Sequence, residues 1–343
     1  MKSFLFISIL ILTATRSFAC DLCGCTLCPM PLRTTPGFFL GASEQFTRYD
    51  TLQIDGHAID NDARQRLDSS ITQLYAGYRF NDWLSVQFNA PLIDRAYRRT
   101  TETGLEKGNV SGLGDTSLLA TVVPIRQQSG DFTFIARLTA GVKFPTGDSA
   151  RLGEEAEEGH THEEAAPPAE EEDADHPEGE EHAHAHAAAA PNQPESGIHG
   201  HDLALGSGSV DAIVGGSIHA QWQRAFFAGE VQYAIRTEGD FDYRYANDLT
   251  WSAGPGVGLI VKDTHRVTMQ FVCSGESKGK DKFRGVKAGD TAVTTVFLGP
   301  KISLLWRDRF NADVELAVPI LRDNTELQIV PDYRFRAAVG WRF

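Results

Sequence analysis

Tyr333-Arg-Phe-Arg-Ala-Ala-Val-Gly-Trp-Arg-Phe343 decides how the rest of the chain is read. Tyr333, Phe335, Ala337, Val339, Trp341 and Phe343 fall on one side of an extended chain; Arg334, Arg336, Ala338, Gly340 and Arg342 fall on the other. This alternation is the period of a β-strand. A soluble sandwich would put the apolar side in its core. A membrane barrel puts it against lipid and turns the arginines into a polar lumen. Three arginines on one inward face are easier to accommodate in a wet lumen than in a small protein core.

The pattern repeats upstream. Phe132, Phe134, Ala136, Leu138, Ala140, Val142 and Phe144 oppose Thr133, Arg137, Thr139 and Lys143. Phe227, Val231, Tyr233 and Ile235 oppose Glu230, Gln232 and Arg236, and Phe310 to Ile320 alternates with Asn311, Asp313 and Glu315. These runs approach the ~9–11 residues a tilted strand needs to cross a bilayer. The links between them alternate short (81–82, 127–130, 223–224, 262–265, 307–309) and long (49–67, 98–112, 146–206, 237–246, 279–290, 323–330). Short turns at one end and long loops at the other are the outer-membrane arrangement, and the links predict an antiparallel all-β transmembrane barrel of about 12 strands. Aromatic residues near strand ends, such as Phe38, Phe80, Trp83, Trp222, Trp306 and Trp341, suit the girdles where a barrel meets the membrane interface.

The other end of the chain predicts export. Lys2 precedes an apolar run from Phe4 to Leu12, and Ser17-Phe18-Ala19 supplies the small residues of a cleavage site. Residues 1–19 read as a signal peptide, cut before Cys20. No later run is long and apolar enough for a membrane helix. The destination is the outer membrane of a Gram-negative bacterium, with its lipids and the barrel-assembly machinery as partners. Residues 20–35 form a Cys-rich periplasmic segment and 36–343 the barrel, interrupted by a His- and Glu-rich insert at 149–204.

That insert carries the net charge. Of 46 acidic residues, 15 lie between Glu154 and Glu195 with no Lys or Arg among them, which leaves 31 acids against 32 bases elsewhere. The nearly neutral remainder gives no sign of nucleic-acid binding. Eight of the 11 histidines are also there: His160, His162, His176, His182, His184, His186, His199 and His201. A stretch so poor in large apolar residues reads as a disordered external loop. Imidazole and carboxylate together suit Zn, Cu, Ni or Co, held weakly because a flexible chain must be ordered to bind. The bland alternative is a solvated loop whose histidines are incidental. Cys20, Cys23, Cys25 and Cys28 offer four thiols for a soft ion, against two disulfides in an oxidising compartment. No cofactor is required by any of these motifs.

Inward-facing charges predicted for the lumen are Arg79, Arg137, Lys143, Glu230, Arg236, Asp313, Glu315, Arg334, Arg336 and Arg342, with Glu44 and Lys301 beside them. Such residues either select ions or simply pair across strands and fill the barrel.

Three segments resemble a known group. Gly112-Leu-Gly-Asp115, then Gly141-Val-Lys-Phe-Pro-Thr-Gly-Asp148, then Leu205-Gly-Ser-Gly-Ser-Val-Asp211 follow one another as in the outer-membrane barrels called "MetA-pathway of phenol degradation" proteins, which are labelled transporters. The resemblance covers roughly residues 111–222 and implies a barrel passing small molecules, without a defined substrate. The acidic insert departs from the pattern and puts a phenolic substrate in doubt. No nucleophile elbow, HExxH or phosphate loop appears, so no enzyme is expected. The readings that stand are a solute channel linked to transition metals, a closed barrel anchoring a metal-binding loop, and, remotely, a lipid-modifying barrel enzyme.

Overall fold

The computed structural model describes residues 36–101, 103–155 and 195–343. The predicted signal peptide, Cys20, Cys23, Cys25 and Cys28, and six of the insert histidines (His160, His162, His176, His182, His184, His186) lie outside the described residues.

Twelve long strands form the wall: β1 (Gly37–Ile54), β2 (Arg66–Arg79), β3 (Leu84–Thr101), β4 (Thr116–Ser129), β5 (Phe132–Phe144), β6 (Asp211–Trp222), β7 (Ala225–Ile235), β8 (Asp248–Val261), β9 (His265–Lys278), β10 (Val293–Trp306), β11 (Phe310–Asn324) and β12 (Leu327–Arg342). Each pairs antiparallel with its neighbours in sequence, and β12 returns to β1 from Phe39↔Arg342 to Ile54↔Leu327. The closing pair uses the very stretch whose alternation predicts a strand. Closure matters because a sheet edge within lipid would leave backbone groups without partners.

Alternation sorts the side chains as a membrane wall requires. Leu138 and Leu316 are more than half exposed, and Leu74, Val214, Val231 and Val339 share the outer surface. Toward the lumen lie Gln73, Gln87, Asn89, Thr139, Gln232 and Glu315, all buried. Around the rim with the short turns, Phe38, Tyr78 and Phe80 make successive edge-to-face contacts at 4.7 and 5.0 Å. Leu138→Arg, at the middle of β5, is expected to destabilise the barrel by about 2–4 kcal/mol, the cost of a cation at the bilayer midplane. Urea unfolding in lipid vesicles measures it, and an unchanged midpoint would mean that this face does not meet hydrocarbon.

Three loop expectations need correction. The 98–112 link is a β-hairpin, in which a strand at Gly104–Leu113 pairs with Leu92–Thr101 of β3. β1 runs on to Ile54, where His57–Ile59 folds back on it. The 323–330 link shrinks to a tight turn with Glu326 at φ 53°. In each case the strands outlast the apolar alternation, because backbone pairing continues into water where side chains no longer sort by polarity. Glu44 is a fourth correction. Its register partner Thr72 is on the outer face with Leu74, and its carboxylate accepts bonds from Ser70 Oγ and Thr72 Oγ1, both 2.5 Å.

Candidate functional site: a plugged lumen

The inner half of the barrel holds a cavity of about 320 Å³. Five of the predicted lumen residues, Arg137, Glu230, Asp313, Glu315 and Arg336, line it together with Lys301. Lys301 pairs with Asp313 at 3.1 Å, and Arg336 Nε donates to Gln45 at 2.6 Å. Among the described residues Arg137, Arg224 and Arg266 have no ion pair, and all three border the cavity. Arg79 and Arg342 are buried at the rim with the short turns. Arg334 is higher, its Nη2 donating to both carboxylate oxygens of Glu276 at 2.8 Å and its guanidinium stacked on Phe297 at 3.9 Å.

The outer half is filled by the two ends of the insert. The expected external loop is in this respect the reverse of what the sequence suggests, since Leu152, Ile198 and Leu203 are fully buried. Ile198 and Leu203 pack on Tyr49, Leu52, Leu67, Tyr97 and Ile329 from four wall strands. Leu152 and Ala204 pack on Tyr243 and Tyr245 of the β7–β8 connection. Polar contacts finish the docking: Arg95 donates to the Ala204 carbonyl, Gln65 exchanges bonds with Glu195 and Gly197, and Arg99 joins Glu106 and Glu154 at 2.8 and 2.9 Å. Residues 150–155 and 195–204 therefore lie across the outer mouth as a plug.

The plug leaves and returns through one neck. The Asp148 carbonyl accepts the amides of both Leu205 and Gly206 at 2.9 Å. Glycines make this approach feasible. A Cβ on Gly206 would meet the Gly147 carbonyl at 2.5 Å and Asp115 Oδ1 at 2.7 Å.

The three segments that carry the family resemblance converge at this neck. Asp115 accepts the amides of Gly147 and Ser207, both at 3.0 Å, and an ion pair from Lys143. Lys143 also reaches Ser207 Oγ and, at 2.9 Å, Asp211. Asp211 accepts Ser209 Oγ, the Thr237 amide and Arg236, each at 2.9 Å, and Arg236 continues to Asp248. The sequence reading picked out Lys143 and Arg236 and missed Asp115, Asp211, Asp248 and the two serines. The signal was there: each resembling segment contributes one charged residue, and a hydrogen-bonded cluster is what such spaced motifs would build.

A second group sits where the plug's limbs meet. Glu155 Oε1 accepts His201 Nδ1 and the His201 amide, both at 2.9 Å, and Asp202 Oδ1 lies 3.5 Å from His201 Nε2. His199 stacks on His201 at 5.6 Å between ring centres, and its Nδ1 is 3.3 Å from Asp290. Burial by itself would lower the His201 pKa; the charges of Asp202 and Glu155 outweigh it and raise the value to about 10. Burial would likewise raise Glu155, yet the charge and hydrogen bonds of His201 take it down to about 2. His199 and His201, predicted on a surface loop, are thus held inside the plug.

No family model and no curated protein matches the chain. Solved structures do. The COG4313 outer membrane channel from Pseudomonas putida F1 superposes with a TM-score of 0.58 at 13% identity, covering 93% of this chain and 100% of that one. The β domain of the Bordetella autotransporter BrkA (11% identity, 90% and 100% covered) and the CymD monoaromatic hydrocarbon channel (10%, 90% and 89%) fall to 0.40 and 0.37. A closed wall of paired strands, an apolar outer surface and this superposition lead to one statement: the chain is an outer-membrane β-barrel with the fold of the COG4313 channel.

Proposed function

We propose that the protein is a channel for small solutes, preferring anions, with its outer mouth closed by its own plug. The observation that carries this is the cavity of about 320 Å³ lined by Arg137, Arg224 and Arg266 without ion pairs. A barrel built only as an anchor has no use for a space bordered by guanidinium groups that form no close ion pair, whereas a pore does, because they raise the local concentration of anions. The plug rests on apolar contacts, hydrogen bonds and the Arg99–Glu154 ion pair, not on strand pairing, so it can open without breaking the wall.

The neck supplies the test. Because Asp148 and Leu205 are already hydrogen-bonded, residues 150–203 can be replaced by Gly-Gly without straining β5 or β6. In planar bilayers this variant should conduct several-fold more than the intact protein, with chloride favoured over potassium. Adding Arg137→Gln and Arg266→Gln should move the reversal potential toward cations. A shortened barrel that folds but carries no current would favour the other reading, a closed barrel that anchors the insert.

A further inference from the structure

We propose that His199, His201 and Asp202, with Glu155 and Asp290 at the margin, form a site for one divalent transition-metal ion that fastens the plug shut. The site is independent of whether the barrel conducts.

Three parts of the chain separated by tens of residues meet around this cluster. One donor atom from each of His199, His201 and Asp202 lies within 4.8 Å of the others. Glu155 arrives from the outgoing limb and Asp290 from the β9–β10 connection. His201 Nε2 lies 3.5 Å from Asp202 Oδ1 and His199 Nδ1 3.3 Å from Asp290, near the spacing of about 3.3 Å between neighbouring ligands around a tetrahedral ion with bonds near 2.0–2.1 Å, while Glu155 holds the opposite nitrogen of His201, Nδ1, at 2.9 Å and so orients the ring. The centre of the set is buried and its margin half-buried: His201 is 3% exposed, Asp202 23% and Asp290 25%.

Charge favours a cation there. Glu155, Asp202 and Asp290 bring three carboxylates to two imidazoles, and Lys278, the cation whose charge reaches His201, is itself paired with Asp281, so the local charge favours a further cation. Glu155 engages His201 through Nδ1, which leaves Nε2 on the side of Asp202. The Nδ1 of His199 is buried without a hydrogen bond, near Asp290 but not aligned with it. A metal ion would use both rings. Mixed imidazole and carboxylate donors suit Zn, Co, Ni or Cu(II); magnesium and calcium prefer oxygen alone. Binding would tie both limbs of the plug to the β9–β10 connection, so metal outside the cell would hold the outer mouth closed.

The test must silence the other histidines and the cysteines. Full-length protein is prepared with His160, His162, His176, His182, His184 and His186 changed to Gln and the cysteines at 20, 23, 25 and 28 changed to Ser. After folding in detergent it is loaded with zinc, dialysed and assayed for metal. One zinc per chain is expected, with a raised unfolding temperature that magnesium does not reproduce. Adding His199→Gln and His201→Gln should weaken zinc binding at least tenfold. Adding Asp290→Asn, which leaves the plug's packing intact, should weaken it by less. Heat-dependent mobility on gels shows that each variant has formed its barrel. Retention of no zinc by the first protein, or equal retention by the His199→Gln/His201→Gln variant, overturns the site.

Discussion

Lys143→Met is expected to cost the folded protein about 3–5 kcal/mol, the usual consequence of removing one partner from a buried ionic cluster. Lys143 is 3% exposed and is the cation between Asp115 and Asp211. Without it Asp211 keeps Arg236, but Asp115 retains only hydrogen-bond donors for a full buried charge. Methionine fills the space, so the loss reports charge and not volume. Because Asp115 also holds Gly147 and Ser207, its relaxation should loosen the neck. Urea unfolding in detergent gives the size of the effect. Pairing the change with Asp115→Asn should recover part of it, since neutralising the stranded carboxylate removes most of the penalty. A loss under about 1 kcal/mol in the single variant would show that water reaches the cluster and that the neck is not held by charge.

The second large effect concerns the plug alone. Leu203 and Ile198 are fully buried between the plug and the wall. Truncating either to Ala should cost about 2–5 kcal/mol, through lost apolar burial and the cavity left behind. The wall strands keep their hydrogen bonds, so the cost should appear as local opening. Amide exchange separates the two cases. The amides of Leu152, Asp202 and Ala204, bonded to the Ser149, His199 and Gly200 carbonyls inside the plug, should exchange roughly 30-fold faster or more. Amides at the centre of β11 and β12 should not change. If both groups accelerate together, plug and wall unfold as one unit, and a plug that opens by itself is excluded.

Much of the wall was legible because a membrane barrel writes its fold into single strands. Leu138 and Thr139 need no tertiary information to be assigned to opposite faces, and the same holds for Phe335 and Arg336. The exceptions are instructive. Glu44 was placed inside because it is charged, but Ser70 and Thr72 on the adjacent strand satisfy it on the outside. Cross-strand partners are invisible until register is known. The plug was missed for a related reason. Leu152, Ile198 and Leu203 are isolated apolar residues in a polar stretch, and composition averaged over 149–204 hides them. His199 and His201 read as metal donors from residue type alone, and nothing in their spacing indicates that Glu155 and Asp290 would meet them. The segments carrying the family resemblance were recognised as a pattern, and only the fold shows that Asp115, Lys143 and Asp211 form one bonded group.

The hairpin beyond β3 has a consequence for how the protein sits in its bilayer. Its second strand, Gly104–Leu113, pairs with β3 on one side, and among the described residues no strand pairs with its other side. Bare peptide groups there would be costly in hydrocarbon, where nothing can bond to them. On this side of the cylinder the greasy layer must therefore end near Thr116, where β4 begins, and Gly104–Leu113 must stand among the sugar and phosphate head groups above it. A spin label at Lys107 should be reached by water-soluble relaxation agents, whereas one at Leu138 should be reached by oxygen dissolved in the acyl chains.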